Sequence, residues 1–337
     1  MSENKYYFCD ELNNVLTCFH NKIMSCCSGQ DGPIYMRNYK GQKIDWNYFW
    51  TIKENAFRLM TDENIHQLPC KDCFFLREKK LSDVISPKYK VLHISNWTHC
   101  NCGCIYCARM KDSKGKIDTR VRRSDYYDML PFLKQLYKQE LLDRENLYVN
   151  IQGGDISVLK EFEPIVKECL KQGVRDFFIL SNNIKYQPLI KTLISMDMAT
   201  FVTSLDCGTR DLYYKLKRVD KFNDSVANLR KYASGEHPER ITVKYIVIEH
   251  FNDNFETITN FINLMSDIGI KNVEFMIDNK YVNQTDLPET PKPPLHYKDL
   301  YLHFKNLCNQ KNINLIVWSK LQNLIDTYLL KDNLSDT

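Results

Sequence analysis

The sequence predicts an α/β fold built on a parallel sheet, either curved into a partial barrel or flat and doubly wound. Short apolar segments rich in β-branched residues recur along the chain, and segments with helical periodicity separate them. The helical segments are long enough to cross between parallel neighbouring strands. Strands are predicted at 90–95, 146–152, 176–181, 199–205, 241–248 and 272–278, with a weaker copy at 313–318.

The segments between these strands have the apolar spacing of amphipathic helices, and several end in glycine or in a polar turn. Helices are predicted at 126–142, 158–173, 186–196, 222–233 and 255–269. A Pro-rich segment at 285–296 is typical of a surface connection. We therefore expect three regions: a small cysteine-rich module at 1–85, a sheet-forming core at 86–285, and a C-terminal extension at 286–337 that closes the barrel.

Composition excludes several classes of protein. The chain has 337 residues, and none of its apolar runs is long enough to cross a bilayer. Its N-terminus lacks the basic and apolar parts of a secretory signal, so we expect a cytoplasmic protein with no membrane partner. The 46 basic and 42 acidic residues are mixed along the chain and leave a net charge of +4, so a nucleic-acid partner is not expected.

Cysteine is the unusual residue of this chain. There are 13 cysteines, and most of them precede residue 108. A secreted disulfide scaffold is shorter and has an even count, whereas clustered thiols in a reducing compartment are more often metal ligands. The later cysteines are isolated in sequence, and we predict buried core positions for Cys169, Cys207 and Cys308.

Four cysteines follow the first predicted core strand. Cys100, Cys104 and Cys107 have the spacing C-x3-C-x2-C, and Cys102 falls between them. Three thiolates on one tight loop can hold three corners of a [4Fe–4S] cluster and leave the fourth iron open to a small molecule. The loop lies at the edge where α/β folds place their chemistry. An all-cysteine zinc site is the alternative, although such sites usually pair two C-x2-C turns separated by a longer stretch.

This loop, with aromatic Tyr106 just before its last cysteine, resembles the hallmark of the radical S-adenosylmethionine (SAM) superfamily. The resemblance implies a partial (β/α)6 TIM-like barrel, with a [4Fe–4S] cluster held by Cys100, Cys104 and Cys107 and with SAM on the open iron. Electron transfer, from a donor such as flavodoxin or ferredoxin, would cleave SAM to methionine and a 5′-deoxyadenosyl radical. Tyr106 would face the adenine.

Further stretches at the ends of the predicted strands resemble SAM-binding segments of this family. A Gly-Gly-Asp turn stands where the family has Gly-Gly-Glu-Pro, Ser181-Asn182-Asn183 is similar to its Thr-Asn-Gly, and Ser204-Leu205-Asp206 to its Ser-Leu-Asp-Gly. Asp206 is alternatively a helix cap, and the basic residues 217–218 are alternatively a solvated helix face. The candidate SAM contacts are Gly153, Gly154, Asp155, Ser181, Asn183, Ser204, Asp206, Lys217 and Arg218.

The N-terminal cysteines resemble the auxiliary-cluster modules of the same family, of the SPASM and twitch types. Cys9, Cys26, Cys70 and Cys73 correspond to the ligands of a second [4Fe–4S] cluster, and Asn21 stands where the module has a hairpin glycine. Cys18 and Cys27 are substitutes. The module usually follows the barrel, whereas here it precedes it. A zinc site and unliganded core thiols are the alternatives.

The resemblance implies a radical SAM enzyme that abstracts a substrate hydrogen atom. Peptide or protein modification, epimerisation, and oxidation of a sugar or another small molecule all remain open, so the expected substrate is a peptide or a small molecule. In an epimerase, Cys207 is a candidate hydrogen donor. The alternative from a different class is a zinc-stabilised α/β binding or scaffold protein without redox chemistry.

Overall fold

The chain folds into two units, one formed by residues 1–99 and 120–178 and the other by residues 100–119 and 179–337. The predicted α/β fold with a mostly parallel sheet is confirmed, and it is consistent with a partial TIM-like barrel core. The structure is a computed structural model, and it describes residues 5–19, 22–26, 35–37, 39–71, 73, 75–107, 127–278, 281, 293–318, 321–322 and 325–326.

The first unit contains two groups of strands. The shorter group pairs β1 (Tyr7–Cys9) antiparallel with β5 (Leu76–Glu78). The larger group centres on β6 (Val91–Ser95), which is flanked in parallel by β2 (Val15–Phe19) and β7 (Tyr148–Ile151). Antiparallel strands β3, Lys22–Met24, and β4, Tyr35–Arg37, continue the sheet beyond β2.

Because β2 pairs with β6, part of the N-terminal cysteine-rich region shares a sheet with the first strand of the predicted core. The apolar strand residues explain this pairing, since Leu16 and Leu92 are register partners and both are fully buried. Pairing between segments about 75 residues apart in sequence leaves no local signal, and the sequence analysis did not anticipate it.

The helices of the first unit are α1 (Asp10–Asn14), α2 (Trp46–Arg58), α3 (Met129–Lys138) and α4 (Phe162–Lys171). Two of them begin at an aspartate cap. The Asp45 carboxylate accepts hydrogen bonds from the first backbone N–H groups of α2, and Asp128 does the same for α3. Their apolar faces pack into the core of this unit.

Strand β8 (Asp176–Leu180) leads into the second unit. That unit has a parallel sheet in which β9 (Ala199–Ser204), β10 (Ile241–Val247), β11 (Asn272–Ile277) and β12 (Asn314–Val317) are neighbours in chain order. This is the order that right-handed βα crossovers produce.

The helices of the second unit are α5 (Pro188–Ser195), α6 (Arg210–Lys217), α7 (Phe222–Ala233), α8 (Phe255–Ile268) and α9 (Tyr297–Gln310). Aromatic side chains join the sheet to α8 and α9. The ring of Tyr245 lies 4.9 Å from that of Phe261 and 5.6 Å from that of Phe304. Phe275 contacts Phe304 at 5.2 Å, so alternate residues of β10 and β11 form the face that packs on helices.

The sequence anticipates strands β6 to β12 and most of the helices between them, with shorter bounds in the structure. Helix α9 was missed, although it buries Tyr297, Leu300, Tyr301, Phe304 and Cys308 along one face at helical spacing. The predicted burial of Cys169, Cys207 and Cys308 is confirmed.

None of the helices in the described part of the chain has the length and apolar character needed to span a membrane.

Candidate active site

The cysteine loop, residues 100–107, belongs to the second unit and lies against the C-terminal end of α6. The backbone N–H of Gly103 donates to the carbonyl of Lys217 at 2.9 Å, and that of Ile105 donates to Leu216 at 3.0 Å. A tight turn closes the loop, with Cys107 N–H donating to the Cys104 carbonyl at 3.1 Å. Three backbone hydrogen bonds therefore hold the loop in place without using a thiol.

The four thiols of the loop differ in exposure. Cys100, Cys104 and Cys107 are partly exposed, whereas Cys102 is buried. The Cys102 thiol donates toward Cys104, and this hydrogen bond, with the positive charge of Lys217, holds the pKa of Cys104 below its ordinary value although burial opposes this. The thiolate is the form that binds metal. Exposure thus separates Cys102 from the three thiols that have the spacing C-x3-C-x2-C, and thiol donors are the type that iron–sulfur clusters use.

Asn182, which follows β8, is a partner of the loop that the sequence analysis did not single out as a contact. Its side-chain amide lies 3.5 Å from the sulfur of Cys100 and 3.3 Å from that of Cys102, and it also donates to Asn101. Its carbonyl oxygen accepts a hydrogen bond from the backbone N–H of Ile184 at 3.1 Å, which orients the amide. Hydrogen bonds to ligating sulfurs tune iron–sulfur centres, and a similarity to Thr-Asn-Gly alone could not show this contact.

Tyr106, Asp206 and Lys217 form a hydrogen-bonded triad behind the loop. The Tyr106 hydroxyl and the Lys217 ammonium both donate to the Asp206 carboxylate, and Lys217 also donates to Tyr106. Asp206 and Lys217 are almost completely buried, at 0% and 2% exposure. Burial opposes the charge on Lys217, but the neighbouring Asp206 outweighs it, and the pKa of Lys217 is well above its ordinary value. The triad therefore consists of an ion pair between Lys217 and Asp206, to which the phenol of Tyr106 is hydrogen-bonded.

The position of Asp206 is itself fixed by β10 and by the turn after it. The backbone N–H of Ile246 donates to the Asp206 carboxylate at 2.9 Å, and the Asn252 amide donates to the Asp206 carbonyl at 2.8 Å. Asp206 has a φ of 65°, in the left-handed region that Asp tolerates better than most residues. Asp206 therefore links the end of β9 to β10 and, through Tyr106, to the cysteine loop.

The Gly-Gly-Asp turn lies in the first unit, directly after β7. Gly154 N–H donates to the Trp97 carbonyl at 3.2 Å, and Asp155 N–H donates to the His99 carbonyl at 2.8 Å. A Cβ atom on Gly154 would lie 1.9 Å from the His99 oxygen, so this position admits only glycine. The turn therefore fixes the residues that immediately precede the cysteine loop in sequence.

The carboxylate of Asp155 is fully buried and accepts hydrogen bonds from the backbone and hydroxyl of Ser157. It caps the short 3-10 turn that follows, which is a structural use of the position where the family pattern has Glu.

The remaining candidate residues lie in the second unit. The Ser181 hydroxyl accepts a hydrogen bond from Asn183 N–H at 3.1 Å, and Asn183 has a φ of 64°. Ser204 ends β9 and is partly exposed. Arg218 is exposed and lies beside Gly103 of the cysteine loop. Cys207 is fully buried, its thiol donates to the Leu205 carbonyl at 3.4 Å, and burial raises its pKa to about 12.

In the first unit, the N-terminal thiols Cys26 and Cys73 lie near enough to both Cys9 and Cys70 to affect the pKa of each. All except the partly exposed Cys73 are buried. Burial, with the neighbouring thiols, raises the pKa of Cys70 to about 12 and that of Cys9 to about 11.

Of the other residues considered for this module, Cys18 lies on β2, fully buried, and has Tyr127 as its hydrogen-bonding neighbour. Asn21 and Cys27 lie outside the described residues. Within the described ranges, no group of three or more His, Cys, Asp or Glu side chains has the arrangement needed to hold a single metal ion.

Comparison with known proteins gives a family match and several distant relatives. The model of the radical SAM superfamily matches residues 96–277. The GTP 3′,8-cyclase of Limosilactobacillus fermentum is 24% identical over 202 residues, which are 59% of this chain and 58% of that protein.

Among solved structures, Streptococcus suis SuiB bound to S-adenosylmethionine matches with a TM-score of 0.50 and 13% identity, covering 86% of this chain and 59% of that one. SuiB bound to the precursor peptide SuiA matches with a TM-score of 0.49 and 13% identity, covering 84% of this chain and 58% of that one. At 13% identity, the likeness to the S-adenosylmethionine-bound structure shows the fold alone. The chain spans less than two thirds of the length of each of these relatives.

Proposed function

Because the chain belongs to the radical SAM superfamily, we propose that it cleaves SAM reductively and abstracts a hydrogen atom from a substrate. When bound, a reduced [4Fe–4S] cluster and SAM supply a 5′-deoxyadenosyl radical, which is the hard step of the chemistry. The observation that carries this proposal is the cysteine loop, whose three accessible thiols are spaced C-x3-C-x2-C and backbone-anchored to α6. The protein's own part is to bind SAM and the substrate, to orient them, and to exclude water from the site.

Cys100, Cys104 and Cys107 are the proposed cluster ligands. Their spacing and their partial exposure support this set, because ligation needs thiols that the metal can reach. Cys102 is directed inward as a hydrogen-bond donor, which supports its exclusion from the set.

The proposed SAM contacts come from the loop and from the strand ends. The Gly153-Gly154 turn is the proposed contact of the SAM ammonium group through its backbone carbonyls, and the missing side chain of Gly154 lets the backbone of His99 pack against the turn. Of the two basic candidates, Arg218 is exposed beside the loop, whereas the charge of Lys217 is taken by Asp206. We therefore assign the SAM carboxylate to Arg218, and Asp206 and Lys217 to anchoring the loop. Tyr106, Ser181, Asn183 and Ser204 complete the proposed set, and Asp155 takes part through the backbone of the Gly-Gly-Asp turn, because its carboxylate is bound to Ser157.

A second [4Fe–4S] cluster on Cys9, Cys26, Cys70 and Cys73 belongs to the same proposal, as does the division into regions 1–85, 86–285 and 286–337. Support comes from the mutual proximity of these four thiols, which different segments of the chain bring together.

The substrate is proposed to be a peptide or a small molecule, and a flavodoxin or ferredoxin is the proposed electron donor. The relatives point to both substrate classes, since one is named for GTP and another was solved with a precursor peptide. Peptide modification, epimerisation, and oxidation of a sugar or small-molecule carbon are the candidate reactions. If the reaction is an epimerisation, Cys207 must become accessible to serve as the hydrogen donor, because its side chain is fully buried.

Anaerobic reconstitution with iron and sulfide tests the proposal. The expected protein is brown, and with dithionite and SAM it forms methionine and 5′-deoxyadenosine, measured by liquid chromatography and mass spectrometry. A colourless protein that holds stoichiometric zinc and forms no 5′-deoxyadenosine contradicts the proposal and supports the zinc-stabilised scaffold instead.

A further inference from the structure

Lys244 and Glu274 form an ion pair in the parallel sheet of the second unit. Neither residue belongs to the proposed cluster ligands or SAM contacts. They are register partners on β10 and β11, and their charged groups are 3.1 Å apart. On the other side, Lys244 is the register partner of Ser204, which ends β9. Three polar side chains therefore cross the sheet in one row.

This row lies on the face opposite the helices. Successive strand residues point to opposite faces, and Tyr245 and Phe275 point toward α8 and α9. Lys244 and Glu274, each one residue earlier, consequently point away from these helices. Their side chains are 22% and 12% exposed, so the pair is accessible but largely removed from bulk water.

Sheet stability does not explain the pair. Strands of parallel sheets are typically apolar on both faces, and a buried ion pair often stabilises no more than a well-packed apolar pair would. Ile246 and Met276, register partners two residues further along the same strands and on the same face, show the apolar alternative. A ligand that hydrogen-bonds to Lys244 and Glu274 would explain why two charged residues stand at these strand positions.

The row lies next to the cysteine loop. The backbone N–H of Asp206 reaches the Lys244 carbonyl at 3.4 Å, and Asp206 accepts from Ile246, two residues further along β10. Two strand residues span about 7 Å. Asp206 in turn holds Tyr106 of the loop. A group that contacts Lys244 and Glu274 would thus lie beside the proposed SAM contact Ser204, where a hydrogen atom must be removed.

The row itself carries no net charge, because Glu274 neutralises Lys244. Within β9, β10 and β11, all of which the structure describes, Lys244 is the one basic residue. A polyphosphate is recognised by unpaired Arg and Lys groups, and this row offers none. A paired ammonium and carboxylate instead suit a group that both accepts and donates hydrogen bonds.

We propose that Lys244 and Glu274 form a substrate subsite for an unphosphorylated, net-neutral group that both donates and accepts hydrogen bonds. Peptide amides and sugar hydroxyls share this chemistry. This proposal rests on the proposed function, because only an enzyme has a substrate. Binding of a ligand to Lys244 and Glu274 can nevertheless be measured without turnover.

The turnover experiment separates the two sources. Reconstituted wild-type protein is incubated with SAM, dithionite and, in separate arms, a peptide extract, a neutral-sugar extract, or GTP, and products are found by mass spectrometry. Conversion in the peptide or sugar arm is expected, with kcat/KM lowered at least tenfold by Lys244→Met. The matched control is Lys167→Met, which breaks an exposed ion pair with Glu163 on α4 and is expected to keep kcat/KM within twofold. Conversion of GTP, or equal kcat/KM values for the two variants, overturns the subsite.

A binding experiment needs no turnover. Titration calorimetry at low salt, with GTP as the probe, is expected to show at least tenfold tighter binding to Glu274→Gln than to wild type, because the freed ammonium becomes an anion site. Glu163→Gln is expected to bind like wild type. No gain in Glu274→Gln overturns the subsite even when turnover fails. Absence of 5′-deoxyadenosine in every wild-type arm contradicts the proposed function instead.

Discussion

The cysteine loop and the N-terminal cysteine set carry the same side chain but differ in construction. The loop places its four thiols within eight residues, three of them partly exposed and Cys102 buried, beside the buried ion pair of Asp206 and Lys217. The N-terminal set gathers Cys9, Cys26, Cys70 and Cys73 from separate segments and buries three of them. Burial raises the pKa of Cys9 and Cys70 in the N-terminal set, whereas in the loop the hydrogen bond between two thiols lowers the pKa of Cys104 and raises that of Cys102. Local spacing therefore identifies the first region directly, whereas the second depends on how the chain folds.

The largest expected effect separates two cysteines of the same loop. Cys104→Ala is expected to abolish reductive SAM cleavage, because it removes a proposed ligand whose pKa favours the thiolate. Cys102→Ala is the matched control and is expected to retain most of the cleavage, because the Cys102 thiol is directed inward. The measurement is 5′-deoxyadenosine formed per unit time under dithionite. Equal loss in both variants would mean that the ligand assignment is wrong.

The next effect concerns the anchor of the loop. Asp206→Asn leaves the buried ammonium of Lys217 without its counter-charge, and breaking one side of a buried pair costs about 3–5 kcal/mol. Asp220→Asn, which breaks the exposed pair with Arg210, is expected to cost less than about 1 kcal/mol. Urea unfolding of both variants measures the difference. A cost for Asp206→Asn no larger than that of the control contradicts the anchoring role.

How much of this site the sequence predicts depends on the distance between its parts along the chain. The cysteine loop and the Gly-Gly turn one strand later are readable, because each is a contiguous motif after an apolar strand. The sequence does not predict that Tyr106, Asp206 and Lys217 form a triad. Tyr106 and Lys217 are 111 positions apart, and they meet because the end of α6 returns to the loop through backbone hydrogen bonds.

The same limit applies to the fold. Helical and strand periodicity predict β6 to β12, since that signal is local. The parallel pairing of β2 with β6 depends on a contact between distant segments. Lys244 and Glu274 show the limit most clearly, because their ion pair follows from strand register, which a single strand does not encode.

The N-terminal region and the region of the cysteine loop each bury a lysine, Lys53 and Lys217, in different surroundings. The pH dependence of stability tests this difference. Lys53 on α2 donates to the carbonyls of Asn13 and Ser86, no carboxylate of the described residues pairs with it, and burial lowers its pKa to about 7. The unfolded chain therefore binds more protons than the folded chain between about pH 7 and pH 10.5, and the contribution of Lys53 to stability rises with pH.

Lys53→Met is expected to remove this dependence. Its free energy of unfolding should exceed that of wild type by an amount on the order of a few kcal/mol at or below pH 7, and the excess should shrink as the pH rises toward 10. Urea unfolding across this range measures it, with the exposed Lys167→Met as the control. An excess that is constant with pH contradicts the assigned titration.

The smallest expected effect is a twofold change in iron content. It decides whether both the cysteine loop and the N-terminal cysteine set hold a metal centre, or the loop alone. Replacing Cys70 and Cys73 together with Ala is expected to reduce iron from about eight to about four atoms per chain, because one of two [4Fe–4S] clusters is lost. SAM cleavage should decrease but remain measurable, since the cysteine loop is intact. Cys308→Ala, an isolated buried thiol, is the control and should leave iron unchanged. If the double variant also keeps its full iron content, the N-terminal thiols are core residues, and the raised pKa values of Cys9 and Cys70 reflect burial alone.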